Sequence, residues 1–293
     1  MATKIYTTKV ASQLPNLFSR RSAFMRAFGG DLQVITGNEY DNKFLKLKTE
    51  DTEVIIQDYN TGENVAFGTG TSNSSRLGPM REVKSTNEEV EFEAPQVINE
   101  GIDTYTANDN IDTVASKRLA LHSNALVSSY EKIMGKELSD KASENLSVEL
   151  TEESVVKAFN DAYVSFVNNE VSDIVNWIAY VTPEIASILT DAKLTVKEKS
   201  SNVNIGDNTV DKFKNFEIVA IPESKFQDGE VIYFTAEDVG VAGVALKEAR
   251  AMDDHPDFLG IVVQSAAKFG KFIPDRNIKA IIKATLAEVT PEG

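Results

Sequence analysis

The chain has no cysteine. Disulfides, thiolate metal sites, iron–sulfur clusters and cysteine nucleophiles are therefore excluded. Only His122 and His255 supply imidazole, which excludes a histidine-rich metal site. No apolar run approaches the roughly 18 residues that a membrane span needs, so none is expected. A secretory signal is not expected either, because no apolar segment follows the first positive charges. Neither a G-x-x-x-x-G-K-[ST] phosphate loop nor a G-x-G-x-x-G fingerprint occurs. A G-x-S-x-G elbow and an H-E-x-x-H pair are also missing. No enzymatic activity and no cofactor are expected.

Negative charge is missing from the start of the chain. The formal charge of the 293 residues is -15, yet the first thirty residues contain Lys4, Lys9, Arg20, Arg21 and Arg26 and no acid. Those thirty carry +5, so the rest of the chain carries -20. A basic arm of this kind is expected to seek an acidic surface. The bulk acidity argues against nucleic acid as a specific ligand, because phosphate binding needs clustered Lys and Arg. An arginine- and serine-bearing, acid-free start is also how a transit peptide reads. Pro15 at a first helical position and Gly29 just past the end favour a surface helix, with Leu17, Phe24 and Phe28 on one face.

The middle of the first hundred residues is a polar, glycine-dotted hairpin. Residues 44–47 and 54–56 read as strand, and so do Val90 and Phe92 on the returning limb. Residues 62–78 form the tip, with Gly68 and Gly70 giving it freedom. Two limbs of about 20 residues at roughly 3.3 Å per residue reach on the order of 60 Å. An isolated two-stranded ribbon is marginal in water, so such an arm is expected to bury itself against another copy of the chain. Glu89, Glu91 and Glu93 alternate with Val90 and Phe92, which puts three carboxylates on one face. That face reads as a solvated edge or as the receiver of a basic arm.

Residues 108–134 form the longest helix candidate, with Ile111, Ala115, Leu119, Leu126, Tyr130 and Ile133 at helical steps. Asn108 or Asp109 caps its start and Gly135 its end in this reading. A second helix starts at Thr151, an N-cap followed by Glu152 and Glu153, and ends at Asn168–Asn169. Residues 177–181 read as a buried strand whose Trp177 and Tyr180 are core. Thr182-Pro183-Glu184 then opens a short helix over residues 185–192. Residues 197–208 read as an exposed loop. Residues 216–221 and 231–234 read as strands around a turn at Asp228-Gly229. Residues 246–252 read as helix, and 261–263, 269–273 and 278–282 as closing strands. Without regular βαβ alternation, the class is α+β. The densest polar cluster is Asp253-Asp254-His255-Pro256-Asp257. Asp253, Asp254 and Asp257 are a weak candidate for a divalent cation, and a solvated acidic turn is the simpler reading.

The order of these segments resembles the major capsid proteins of tailed bacteriophages, the Hong Kong 97-type fold. The resemblance rests on the arm, the hairpin and the entry into the long helix at Gly101-Ile102-Asp103-Thr104-Tyr105-Thr106-Ala107-Asn108-Asp109. It also rests on Trp177-Ile178-Ala179-Tyr180-Val181-Thr182-Pro183-Glu184, and on the ending from Phe258-Leu259-Gly260 to Phe269-Gly270-Lys271-Phe272. It implies an N-terminal arm over 1–42 and an extended loop over 43–97. A peripheral domain with a spine helix would cover 98–150, a mainly axial domain 151–257, and return strands 258–293. It further implies hexamers and pentamers of one chain forming an icosahedral head around double-stranded DNA, held without sequence-specific binding. Portal and other head proteins are implied partners, and Met1 at the start suggests a separate scaffolding protein. Residues 20, 21, 24, 26 and 28, residues 89, 91 and 93, and Gly68 and Gly70 are the expected assembly contacts. The implied location is the virion, with assembly in the bacterial cytoplasm. Alternatives are an encapsulin-type nanocompartment shell and a phage tail-tube or neck protein.

Overall fold

The computed structural model describes residues 23–30, 33–34, 43–49, 54–62, 66, 75–80, 82–83, 86–105, 110–192, 196–197, 211–253 and 259–287. The chain forms two compact units, Asn42–Glu91 and the remainder. In order, the strands and helices are β1 (Gln33–Val34), β2 (Lys43–Thr49), β3 (Thr86–Glu91), β4 (Gln96–Asp103) and α1 (Ile111–Asp140). Then come β5 (Glu144–Val148), α2 (Glu152–Asn168), β6 (Trp177–Val181), α3 (Pro183–Asp191), β7 (Val196–Lys197) and β8 (Asp211–Phe213). The chain closes with β9 (Phe216–Ala220), β10 (Glu230–Ala236), β11 (Val241–Met252), β12 (Gly260–Phe272) and β13 (Ile281–Leu286). This is an α+β architecture, as expected.

The larger unit contains two sheets. One has seven strands in the order β5-β13-β10-β6-β9-β8-β7, and the other four in the order β1-β11-β12-β4. β6 is central to the first, antiparallel to β10 and parallel to β9. All five of its residues are buried, which is why the sequence reads as an unbroken apolar run. Phe159, Phe166, Trp177, Phe216 and Phe234 pack edge to face or tilted around it. The turn between β8 and β9 places Lys214 and Asn215 at φ 50 and 69, the signature of a tight two-residue hairpin.

α1 runs 30 residues, about 45 Å at 1.5 Å per residue. Asn110 caps it by accepting from the Asp112 N–H at 3.0 Å. Gly135, expected to end the helix, lies inside it, and the helix continues to Asp140. A Cβ there would stand 2.7 Å from the Lys225 carbonyl oxygen and 3.2 Å from the Phe24 ring. The glycine therefore permits close packing of backbone, and it is no cap. α2 has the expected cap, with Thr151 Oγ1 accepting from Ser154 N and Ser154 Oγ accepting from Glu149 N. α3 has Pro183 in its first turn.

Several expectations are corrected. Residues 246–252 are strand, not helix: β11 pairs antiparallel with β12 from Val241↔Phe272 to Met252↔Val262. Burial of Ala242, Val244, Ala249 and Ala251 alternates on either side of a register shift at Leu246/Glu248. Helix-forming Leu, Lys, Glu and Ala are overridden there by cross-strand pairing. The closing strands at 261–263 and 269–273 are one continuous β12. Residues 278–280 lie in a 3-10 turn, and the last strand starts at Ile281. Residues 54–56 have strand composition but are irregular, since the described ladder of the smaller unit stops at Thr49↔Thr86. Residues 24–28 form a 3-10 turn closed by Gly29 at φ 89, and the start of the expected helix lies outside the described residues. Most of the expected 197–208 loop lies outside them too. β4 and β5 were not anticipated from their mixed polar composition. By sheet, β11 belongs with β12 and β4, while β13 belongs with β5 and β10.

Candidate assembly surfaces

The N-terminal turn is held inside its own subunit. Phe24 and Phe28 are fully buried, and Phe24 meets the edge of Tyr180 at 4.9 Å. Arg26 grips Glu217 with two hydrogen bonds of 2.5 and 2.8 Å, and its Nε donates to Glu237 at 2.9 Å. The guanidinium is held above its ordinary pKa, first by the hydrogen bonds to Glu217 and then by Glu237. Burial pushes Glu237 up, but Arg26 and Asn176 more than offset it, and its pKa ends below the usual range. The Ala23 N–H donates to Glu131 at 3.0 Å, and Glu131 pairs with Lys225 at 2.6 Å. Phe24, Phe28 and Arg26 are thus intrachain anchors. For Phe24 and Phe28 this corrects the expected contact to a neighbour, because their surface is already spent on this core, whereas Arg26 keeps 37% of its side chain exposed. Arg20 and Arg21 lie outside the described residues.

The smaller unit is a ribbon. β2 and β3 pair antiparallel with Leu45↔Val90 and Lys46↔Glu89 in register, and Lys43 Nζ reaches Glu89 at 2.5 Å. Beyond the ladder the limbs still touch: Asn60 N donates to Arg76 O at 3.0 Å, and Gln57 Nε2 to Pro79 O at 3.2 Å. Gly78 sits at φ +78, where a Cβ would strike the Gln57 side chain. Large apolar side chains stand in solvent here, with Val54 91%, Ile56 95% and Met80 99% exposed. Glu89 and Glu91 are exposed while Val90 is half-buried, as the alternation predicts. Gly68 and Gly70 lie outside the described residues. Glu93, in the larger unit, is exposed and pairs with Lys271 at 3.3 Å, while Phe92 is buried.

Two polar networks fasten the larger unit. His122, buried on the underside of α1, places Nε2 2.9 Å from Glu100 and Nδ1 3.0 Å from the Ser265 hydroxyl. Arg118 also holds Glu100 with a 2.6 Å bond from Nε, and Arg118 first, then His122, lowers the Glu100 pKa to about 2. Glu230 is buried at the start of β10 and accepts from Ser139 at 2.6 Å, Lys283 at 2.9 Å and Tyr233. Burial raises its pKa, and these three donors bring it below the ordinary value. Sequence reasoning missed both networks, because most of their contacts join distant residues: His122 is 22 residues from Glu100 and 143 from Ser265, and Glu230 is 91 from Ser139 and 53 from Lys283. Asp253 is exposed, and Asp254 and Asp257 lie outside the described residues. Among the described residues no three His, Cys, Asp or Glu side chains converge as a metal site would require. No described helix is long and apolar enough to cross a membrane.

No protein-family model and no curated protein matches the sequence. Solved structures do match in three dimensions. The capsid of cyanophage P-SCSP1u aligns over 91% of this chain and 88% of its own, at TM-score 0.63 and 9% identity. The mature capsid of bacteriophage PhiM1 aligns over 92% and 88%, at TM-score 0.61 and 12% identity. A virus-like particle from Pyrococcus furiosus aligns over 95% and 99%, at TM-score 0.54 and 12% identity. The chain therefore has the fold of these shell subunits, the Hong Kong 97-type fold that its segment order resembles.

Proposed function

We propose that this chain is the major capsid protein of a tailed bacteriophage, a structural subunit that assembles with itself into the icosahedral head around double-stranded DNA. The observation that carries the reading is the ribbon of Asn42–Glu91, whose Val54, Ile56 and Met80 remain in water in the single chain. A monomer gains nothing from such an arm, whereas a neighbour's surface would bury it. The capsid fold supports the same reading. Glu89, Glu91, Gly68 and Gly70 on the ribbon are the proposed contacts to neighbours, with Glu93 beside them in sequence. Arg20 and Arg21 supply the matching positive charge. The seven-stranded sheet with α2 and α3 corresponds to the axial domain, and the four-stranded sheet with α1 to the peripheral one. Hexamers and pentamers, a separate scaffolding protein, a portal and assembly in the host cytoplasm belong to this proposal. The subunit acts by burying surface and has no catalytic step.

A nanocompartment shell enclosing protein is the second reading, supported by the likeness to the Pyrococcus particle. Negative-stain microscopy of the overexpressed chain tests the proposal. Closed shells are the expected result. Tubes or rings would point to a tail or neck protein, and dispersed monomers at high concentration would overturn the shell reading. Protein cargo in place of nucleic acid in particles from infected cells would favour the nanocompartment.

A further inference from the structure

Two grooves lie at opposite ends of the layer made by α2, β5 and β13. α2 begins beside the end of β5, where Leu286 pairs with Val148 and Leu286 N donates to Gly229 O. It ends beside the start of those strands, where Ser165 bonds Glu144 at 2.7 Å and Asn169 bonds the Lys279 carbonyl at 3.3 Å. Seventeen helical residues put the two ends about 25 Å apart.

The groove at the first end has a volume of about 750 Å³ and includes Ile133, Phe226 and Leu286 among its apolar lining. Exposed Lys132 and Lys136 of α1 form one wall, and Glu223 and Asp228 stand on the other. At the second end the chain turns through residues 170–176 beside a groove of about 810 Å³. Ile174 in this turn has 93% of its surface exposed, and Val164 and Val167 near the end of α2 are half-exposed. Glu170 and Asp173 flank it, and Lys214 stands across the groove. One end thus presents an apolar knob with carboxylates beside it and a lysine opposite. The other presents an apolar slot with lysines on one wall and carboxylates on the other.

We propose that these ends bind each other in successive copies of the chain. Ile174 of one copy enters the slot under Lys132 and Lys136 of the next. Glu170 and Asp173 meet the lysine wall, and Lys214 meets Glu223 and Asp228. Because knob and slot are different surfaces, the contact is head to tail and closes into a ring when the rotation permits. This inference rests on the shell reading and names one surface by which subunits would join.

The chain's lack of cysteine makes the test clean. Asp173→Cys and Lys136→Cys chains are purified separately, mixed at high concentration and treated with a short bismaleimide. The contact predicts covalent dimers in the mixture and only monomers for either variant alone. Ile174→Asp should leave the thermal midpoint of the subunit unchanged and lower particle yield at least tenfold. Shells without mixed dimers, or normal shells from Ile174→Asp, overturn this contact and leave the shell reading standing. Mixed dimers without shells support the contact and sink the shell reading. Neither dimers nor shells sinks both.

Discussion

A methyl group at residue 135 would stand 2.7 Å from the Lys225 carbonyl oxygen, closer than real side chains approach backbone. Gly→Ala inside a helix normally adds about 1 kcal/mol of stability. Here the sign should reverse, with a net loss of roughly 1–3 kcal/mol from forced displacement of the turn at Glu223–Lys225. Urea denaturation of Gly135→Ala measures it, and a stabilised variant would show that the turn yields freely. Lys225→Met should be more severe. It leaves Glu131, 10% exposed in its side chain, without its cation, and an uncompensated buried charge costs about 3 kcal/mol. Glu100 sets an acid limit. Its folded pKa of about 2 lies below the ordinary 4.5, so its contribution is complete above the ordinary value. That contribution is lost as pH falls through about 2. The stability gap between wild type and Glu100→Gln should therefore narrow on acidification across this window, as denaturation midpoints at successive pH values will show.

Among the elements, the ribbon is the one whose removal should cost the subunit least. Deleting residues 62–78 should leave the far-ultraviolet circular dichroism and thermal unfolding of the larger unit near wild type while abolishing shells. Intact shells from that deletion would show that the tip makes no essential contact. Leu126→Asp on α1 should behave oppositely, since Leu126 is buried in the main core and a lone charge there costs several kcal/mol. Insoluble protein is the expected outcome. Elements whose own residues set their fate were legible in the sequence: α2 through its Thr151 cap, β6 through its continuous apolar run, α1 through its periodicity. Elements decided by partners were not. β11 carries a helical composition and becomes strand because β12 lies beside it for eleven paired positions. β4 and β5 are half-polar edge strands of their sheets, and nothing local marks them. The candidate site divides in the same way. The charges of the arm were visible, but the destination of Arg26 was not, because Glu217 and Glu237 are 191 and 211 residues further along.

For the whole molecule, the charge imbalance makes a statement about assembly. The first thirty residues carry +5 and the remainder -20, and exposed pairs are individually worth about 0–1 kcal/mol. Such pairs add up over many copies, and at 1 M salt the Debye length of roughly 3 Å removes most of that attraction. Early assembly should weaken in high salt, and Arg20→Glu with Arg21→Glu should weaken it at low salt. Light scattering of empty particles measures both. If the double variant assembles normally when empty and fails only in packaging, the arm faces the DNA instead.

The clasp of Arg26 also orders events on the ribosome. Its two acidic partners emerge about two hundred residues after it, and β5 waits for β13 at the far end of the chain. At roughly 5–20 residues per second, the first turn stays unpartnered for about 10–40 s. The ribbon, whose strands pair with each other, needs none of that delay. A nascent or truncated chain therefore displays its arm before it owns a closed core. Phe24 and Arg26 find their partners only once Tyr233 and Glu237 have been made, so the N-terminal turn docks after most of the chain exists.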